Sequence, residues 1–209
     1  MSTSSSRGLY ILGFGGHARS VADVAISAGW NDFVFVDRNA RPGEQFHSFE
    51  VLSSFPTLIN PEWKVFPAAG DNRRRREQVS EVKTDLATII SPKATVGLGA
   101  VVGHATLVCH GAHIGPDARV GCGVILNTHS VIEHEVEIGD FSHISVNATI
   151  AGRTRVGANV MVGAGAVLID SVKVCDDVIV GAGAVVTSDI TESGTYVGIP
   201  ARRIDRRSL

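Results

Sequence analysis

Between Ser130 and His143 the chain reads SVIEHEVEIGDFSH, two histidines set among four acids, Glu133, Glu135, Glu137 and Asp140. Histidine is the side chain whose ordinary proton affinity lies nearest neutral pH, so His134 and His143 are suited to take a proton from a nucleophile. Such a base needs its second ring nitrogen held by an acceptor, which sets the tautomer, and Glu133 and Glu135 flank His134 on both sides. A second chemical signal lies near the N-terminus, where LYILGFGGHA runs an apolar stretch into glycines. Gly13, Gly15 and Ala18 satisfy the loose G-x-G-x-x-G/A pattern, and Asp37 closes the next apolar stretch, where a ribose-binding acid would lie. Backbone N–H groups at a helix start cradle phosphate, so this loop points to a nucleotide.

The histidines sit inside a repeat. Every sixth residue from Ile90 to Val186 is Ile, Val or Leu, seventeen in all, and the residue four places later, from Ala94 to Ala184, is Ala, Ser, Thr or Val. Gly follows the aliphatic residue in eight of the sixteen hexads, from Gly97 to Gly181. A period of six fits neither a helix nor a lone strand. It fits a short strand and a tight corner, three of which close a triangular coil. The aliphatic residue fills the interior, the small one fits near the corner, and Gly permits the turn. Five coils and a third make a prism roughly 25 Å tall at a strand spacing of about 4.8 Å. Ile132, Val136, Ile138 and Ser142 keep the beat, whereas Asn127, Glu133, Ser145 and Ala151 stand where Gly is usual. The outward slots therefore mount the histidines on a rigid coil. The open ends of the prism need covers, which the preceding unit and residues 187–209 are placed to supply.

That preceding unit, 7–89, reads as strands at Leu9 to Leu12, Phe33 to Asp37 and Val65 to Gly70. One helix follows the glycines, with Val21, Val24, Ala25 and Ala28 on its apolar face, and a polar one runs from about Arg73 to Val82. This is βαβαβ, half of a doubly wound fold. The expected class is thus an α/β half-Rossmann domain followed by a parallel β-helix: leader 1–6, nucleotide-binding unit 7–89, β-helix 90–186 and cap 187–209. A nicotinamide dehydrogenase is the rival reading of the glycine loop, but the second mononucleotide half is missing. The run Arg73 to Arg76 reads chiefly as a solvated helix face.

Composition narrows the classes further. Of 209 residues 44% are hydrophobic and 19% charged, which is globular, and a net charge of −2 offers no field for nucleic acid or an anionic membrane. No apolar run approaches the roughly 18 residues of a membrane span, and MSTSSSRG lacks the apolar core of a signal peptide. Cys109, Cys122 and Cys175 are odd in number and widely spaced, which suits a reducing cytoplasm rather than a disulfide framework. With no CxxC pair, no metal is expected.

Several stretches in order, GFGGHARSVADVA, FVFVD, AAGDN, GVILNTHSVIEHEVEIGDFSHISVNATIAG and GTYVGIPARRI, resemble the hexapeptide-repeat sugar O-/N-acetyltransferases. That family includes the sialic acid O-acetyltransferases; the likeness is strongest to its branch acting on nucleotide-linked amino sugars, the UDP-4-amino-sugar (bacillosamine-type) enzymes and the GDP-perosamine enzymes. The resemblance implies a left-handed coil, a homotrimer with sites between neighbouring prisms, and transfer of acetyl from acetyl-CoA to the amine of a nucleotide-linked sugar. It also implies roles. His134 is the general base and Glu135 orients it. His143, Gly152, Ala164 and Ala182 lie along acetyl-CoA, with Asn127 in the same pocket. Gly15, Gly16, His17, Asp37, Arg38, Gly70, Asp71 and Asn72 match the nucleotide-sugar contacts. Arg38 stands where the bacillosamine enzymes carry a second acid, and Asp71 replaces an amide.

That chemistry suits these residues. An amine attacks a thioester as the free base, and the tetrahedral intermediate must shed an N–H proton to a group such as His. The oxyanion needs N–H donors, which coil backbone supplies. Three alternatives stay open: O-acetylation of a sugar such as sialic acid, a non-catalytic nucleotide-sugar-binding scaffold, and zinc held by histidines such as His129 and His134, as in β-helix carbonic anhydrases. Arg202 and Arg203 are within the reach of CoA phosphates on the same resemblance.

Overall fold

The computed structural model describes residues 7–56 and 60–204. The leader 1–6 and the last five residues of the expected cap lie outside the described residues.

The front unit runs β1 (Gly8–Leu12), α1 (Gly16–Ser27), β2 (Asp32–Val36), β3 (Gln45–Phe46), β4 (Phe49–Leu52), β5 (Lys64–Pro67) and α2 (Asn72–Glu81). The sheet order is β3-β4-β2-β1-β5. β1 pairs in parallel with both β2 and β5, and all its residues are buried, as a central parallel strand requires. The link from β2 to β5 departs from the βαβαβ order. It is a hairpin, β3 antiparallel to β4, with β4 added parallel to the outer side of β2. Its strands are two and four residues long, too short to show a clear apolar alternation.

From Ile89 the chain winds as a left-handed parallel β-helix of two- and three-residue strands. Strands 18 residues apart stack: Ile125 pairs with Leu107 and His143, and Val131 with His113 and Thr149. The first face carries Ile89, Leu107, Ile125, His143 and Met161 outward; the second carries His113, Val131 and Thr149; the third carries Arg119, Glu137, Arg155 and Lys173. Each aliphatic position of the repeat from Val108 to Val186 is buried, as is each small position from Thr106 to Ala184. Buried hydroxyls at the small positions replace missing turn contacts: Ser142 Oγ donates to Gly157 O (2.8 Å) and accepts from Val160 N (2.9 Å).

The glycines have a different cause from the one expected. The left-handed backbone falls three places after the aliphatic residue, and there ordinary residues adopt it, among them His129, Glu135, Phe141 and Arg153 with φ of 57° to 58°. The Gly directly after the aliphatic residue is demanded by close stacking instead. A Cβ on Gly115 would lie 2.6 Å from Glu133 C and His134 N of the next coil.

The ends also differ from expectation. The front unit does not close the N-terminal end, where Ile90, Val96, Leu98 and Val101 stay exposed. It lies along the first face instead, where Ile89, Leu107 and Ile125 share a core with Val21, Ala22 and Ala25 of α1. At the other end Gly194–Val197 pairs with Val178–Val180 and with the returning strand Arg202–Ile204, in which Arg203 meets Glu192 (2.8 Å).

Candidate active site

His134 stands on the corner between the second and third faces. Backbone bonds on three coils hold it: Glu133 N to Ile150 O (3.0 Å), Glu135 N to Pro116 O (2.9 Å) and Arg153 N to His134 O (2.9 Å). Its side chain is 42% exposed, and Nδ1 lies 3.2 Å from Glu135 Oε1. A carboxylate only accepts, so Nδ1 carries the proton and Nε2 keeps its lone pair. Nε2 points over Gly152, where a Cβ would sit 2.5 Å from it. That glycine clears the space beside the ring. One coil further, Asp170 binds the Arg153 guanidinium through both oxygens (2.8 and 2.7 Å) and accepts from Ser171 Oγ (2.7 Å). Ser171 and Arg153, in that order, hold the Asp170 carboxyl below the usual carboxylate range.

A second group gathers where the front unit meets the first face. Asn127 Nδ2 lies 3.2 Å from His143 Nε2, and Asn127 Oδ1 accepts from Thr128 N (2.8 Å), which fixes the amide. His143 Nε2 must therefore accept and Nδ1 must carry the proton, which it directs at Gly70 O (3.4 Å). The His17 ring lies 6.1 Å from that of His143. Burial and the nearby Arg75 cation lower His17 to about 4. Burial, His17 and Arg75 lower His143 to about 4 as well.

Arg75 is the residue the sequence reading missed. It is fully buried, whereas Arg73, Arg74 and Arg76 are exposed. Nε donates to Gly123 O (2.6 Å), Nη1 to Ala69 O (3.0 Å) and Gly70 O (3.3 Å), and Nη2 to Asn72 Oδ1 (2.9 Å) and Phe141 O (2.9 Å). The available signal was its spacing: Asn72 and Arg75 are three apart on α2 and share its buried face. Asn72 Nδ2 donates to Val160 O (3.2 Å), so both ends of its amide are spent on the seam.

The glycine loop opens into a cleft of about 620 Å³ lined by Gly13, Asp37, Arg38, Phe55, Arg74 and Glu77 among others. Gly15 and Gly16 begin α1 with open space around them. Asp37 accepts from Phe14 N and Asn39 N (both 2.9 Å), which braces the loop, and Asp71 caps α2 by accepting from Arg74 N (2.9 Å). Gly152, Ala164 and Ala182 share one register position, two places after the interior aliphatic. At the same register position the N–H groups of Cys122 and Ala158 donate to Asp140 and Asp176 of the next coil (both 2.8 Å). Ala164 and Ala182 stack on the corner that bears Asn127, where Gly183 N bonds Ala164 O (2.9 Å). His134 and Gly152 occupy the next corner, across the second face. One chain therefore does not bring the two groups together.

Comparison with known proteins settles the family. Residues 8–82 match the PglD N-terminal domain model, and 153–188 match the bacterial transferase hexapeptide model. The acetyltransferase domain of PglB from Neisseria gonorrhoeae is 31% identical with a TM-score of 0.88, over 95% of this chain and 100% of that one. The same domain in complex with acetyl coenzyme A is 32% identical with a TM-score of 0.87, over 96% and 100%. A variant of GDP-perosamine N-acetyltransferase from Caulobacter crescentus, in complex with CoA and GDP-perosamine, is 30% identical with a TM-score of 0.87, over 95% and 97%.

The chain belongs to the PglD-like hexapeptide-repeat acetyltransferases. Membership makes it an acetyl-CoA-dependent acyltransferase, so the nicotinamide reading of the glycine loop falls. Among the described residues, no three His, Cys, Asp or Glu side chains gather as a metal site, and no helix is long and apolar enough to cross a membrane.

Proposed function

We propose that this acetyltransferase is a homotrimer that moves acetyl from acetyl-CoA to the amine of a nucleotide-linked 4-amino-4,6-dideoxy sugar, with His134 as general base. The observation that carries the reading is the His134 ring itself. Its Nδ1 is tied to Glu135, and its Nε2 lone pair faces a gap made by a glycine. The free amine attacks the thioester carbonyl, Nε2 takes the N–H proton, and collapse of the tetrahedral intermediate expels the CoA thiolate. In this reading the Gly152 N–H meets the oxyanion, and those of Ala164 and Ala182 meet the pantetheine amides. His143 and Asn127 flank the acetyl group, while the loop at Gly15, Gly16 and His17 and the cleft at Asp37 and Arg38 hold the nucleotide. Its relatives support the substrate class, since one is a GDP-perosamine N-acetyltransferase bound to CoA and GDP-perosamine. A UDP sugar is favoured. Three free cysteines suit work in the reducing cytoplasm.

Thiol release from acetyl-CoA, measured against a panel of UDP- and GDP-linked 4-amino-4,6-dideoxy sugars, tests this directly. His134→Ala is expected to lower kcat by about 10²- to 10⁴-fold. Full turnover in that variant removes His134 as the base. Nucleotide binding without thiol release for any sugar points to a scaffold instead.

A further inference from the structure

A buried guanidinium ordinarily has a carboxylate partner, because the desolvation of an unpaired cation is costly. Arg75 has none among its hydrogen-bond acceptors, which are the carbonyls of Ala69, Gly70, Gly123, Phe141 and Ser142 and the Asn72 amide. Burial lowers its proton affinity to about 10, and Asp71 opposes that fall, so it remains a cation at neutral pH. The carbonyls belong to two corner turns of adjacent coils and to the turn after β5. Arg75 therefore fastens the turn after β5 and α2 to two corner turns of the prism. Its N–H donors satisfy those buried carbonyls, and the fixed charge comes with them.

The charge and the fork both bear on His143. Gly70 O accepts from Arg75 Nη1 and from His143 Nδ1, so the fork sets where that carbonyl stands. The groups facing the His143 ring are His17 from α1, Arg75 from α2 with Asp71 behind it, and Asn127 from the coil. A cation beside two imidazoles favours their neutral forms.

We propose that Arg75 is a positioning residue for acetyl transfer: it holds the Gly70 carbonyl against His143 Nδ1 and keeps His143 a neutral Nδ1–H tautomer beside the acetyl group. A protonated His143 would place a positive charge near where the amine nitrogen gains positive charge as it attacks. It would also turn Nε2 from an acceptor of the Asn127 N–H into a donor, breaking the contact that orders both side chains. The cation adds to burial and to His17 in keeping the His143 ring uncharged. The placement of His143 beside acetyl rests on the function proposed above, but the tautomer does not.

The test begins with ¹⁵N NMR of the imidazoles in the full-length enzyme without substrate, with His143 assigned through His143→Gln. In the wild type its Nδ1 is expected to show the protonated, pyrrole-type shift and Nε2 the bare, pyridine-type shift down to below pH 5. In Arg75→Met the ring is expected to exchange between tautomers and to titrate at higher pH. Arg75→Lys keeps the cation but loses the fork. It is expected to keep the low titration, lose the fixed tautomer, and lower kcat by about 10- to 100-fold with KM for acetyl-CoA little changed. If Arg75→Met does not fold, the lysine variant alone decides the tautomer. A single Nδ1–H tautomer in either variant, or an unmoved titration in Arg75→Met, overturns the proposal, whichever substrate the enzyme uses. Loss of the tautomer with kcat unchanged confirms the geometry and removes the role in transfer.

Discussion

At His134 a single glycine decides whether the ring can work. Gly152 has no left-handed φ to justify it, and its hydrogen side faces Nε2. Gly152→Ala is expected to displace the ring and cut kcat by about 100-fold, with the unfolding midpoint shifted by no more than a few degrees. A crystal structure of the variant would show the ring moved. The two buried histidines predict a different signature. Their folded proton affinities, about 4, lie below the ordinary 6.5, so the unfolded chain binds more protons between those values. Stability from this source is complete above about pH 6.5 and falls as the pH drops toward 4. Denaturant titrations at pH 7 and pH 4.5 should show the loss, up to about 3 kcal/mol for each ring. In His17→Asn/His143→Asn the slope with pH should flatten, although the variant starts from lower stability.

At the scale of the coil, the structure is a stack in which neighbours 18 residues apart touch backbone to backbone. This is why Gly115 is irreplaceable for a reason other than turn geometry. Its missing Cβ leaves room for Glu133 C and His134 N. Gly115→Ala must push apart two coils under the catalytic corner. It is expected to lower the thermal midpoint by several degrees, consistent with an overpacking cost of about 1–3 kcal/mol, and to lower kcat as well. A matched change at Gly16, where a Cβ meets open space, should leave the midpoint nearly unmoved. The contrast between the two glycines separates stacking from ligand access.

For the whole molecule, the positions of the two site groups carry the main consequence. His134 with Gly152 and Asn127 with Ala164 occupy different corners of one prism, and the front unit lies along the first face. In the proposed trimer, a complete site draws one corner from each of two copies. Mixing His134→Ala subunits with His143→Ala subunits should restore thiol release above that of either variant alone, because some sites receive both intact corners. Activity no higher than the separate variants would place the whole site within one chain. Neighbouring coils exchange N–H bonds in both directions, as Ile89 N to Thr106 O and Gly111 N to Lys93 O show. The strand Gly194–Val197 covers the C-terminal end of the prism.

The hexad beat determined the β-helix, its interior residues and the outward placement of His134, because every six residues repeat one local demand. The glycine loop and three apolar runs likewise determined the parallel core of the front unit. The short hairpin β3–β4 was not legible, since strands of two to four residues carry too little periodicity. Tertiary structure alone decided the rest. It set the front unit along a face instead of over an end, because Ile89, Leu107 and Ile125 recur 18 residues apart and form a patch only when coiled. It gave the glycines their true cause, which lies in the next coil. It also turned one arginine of four inward, where its partners are backbone carbonyls from separate segments. Carbonyls are the same at every residue, so no pattern of side chains could have announced them.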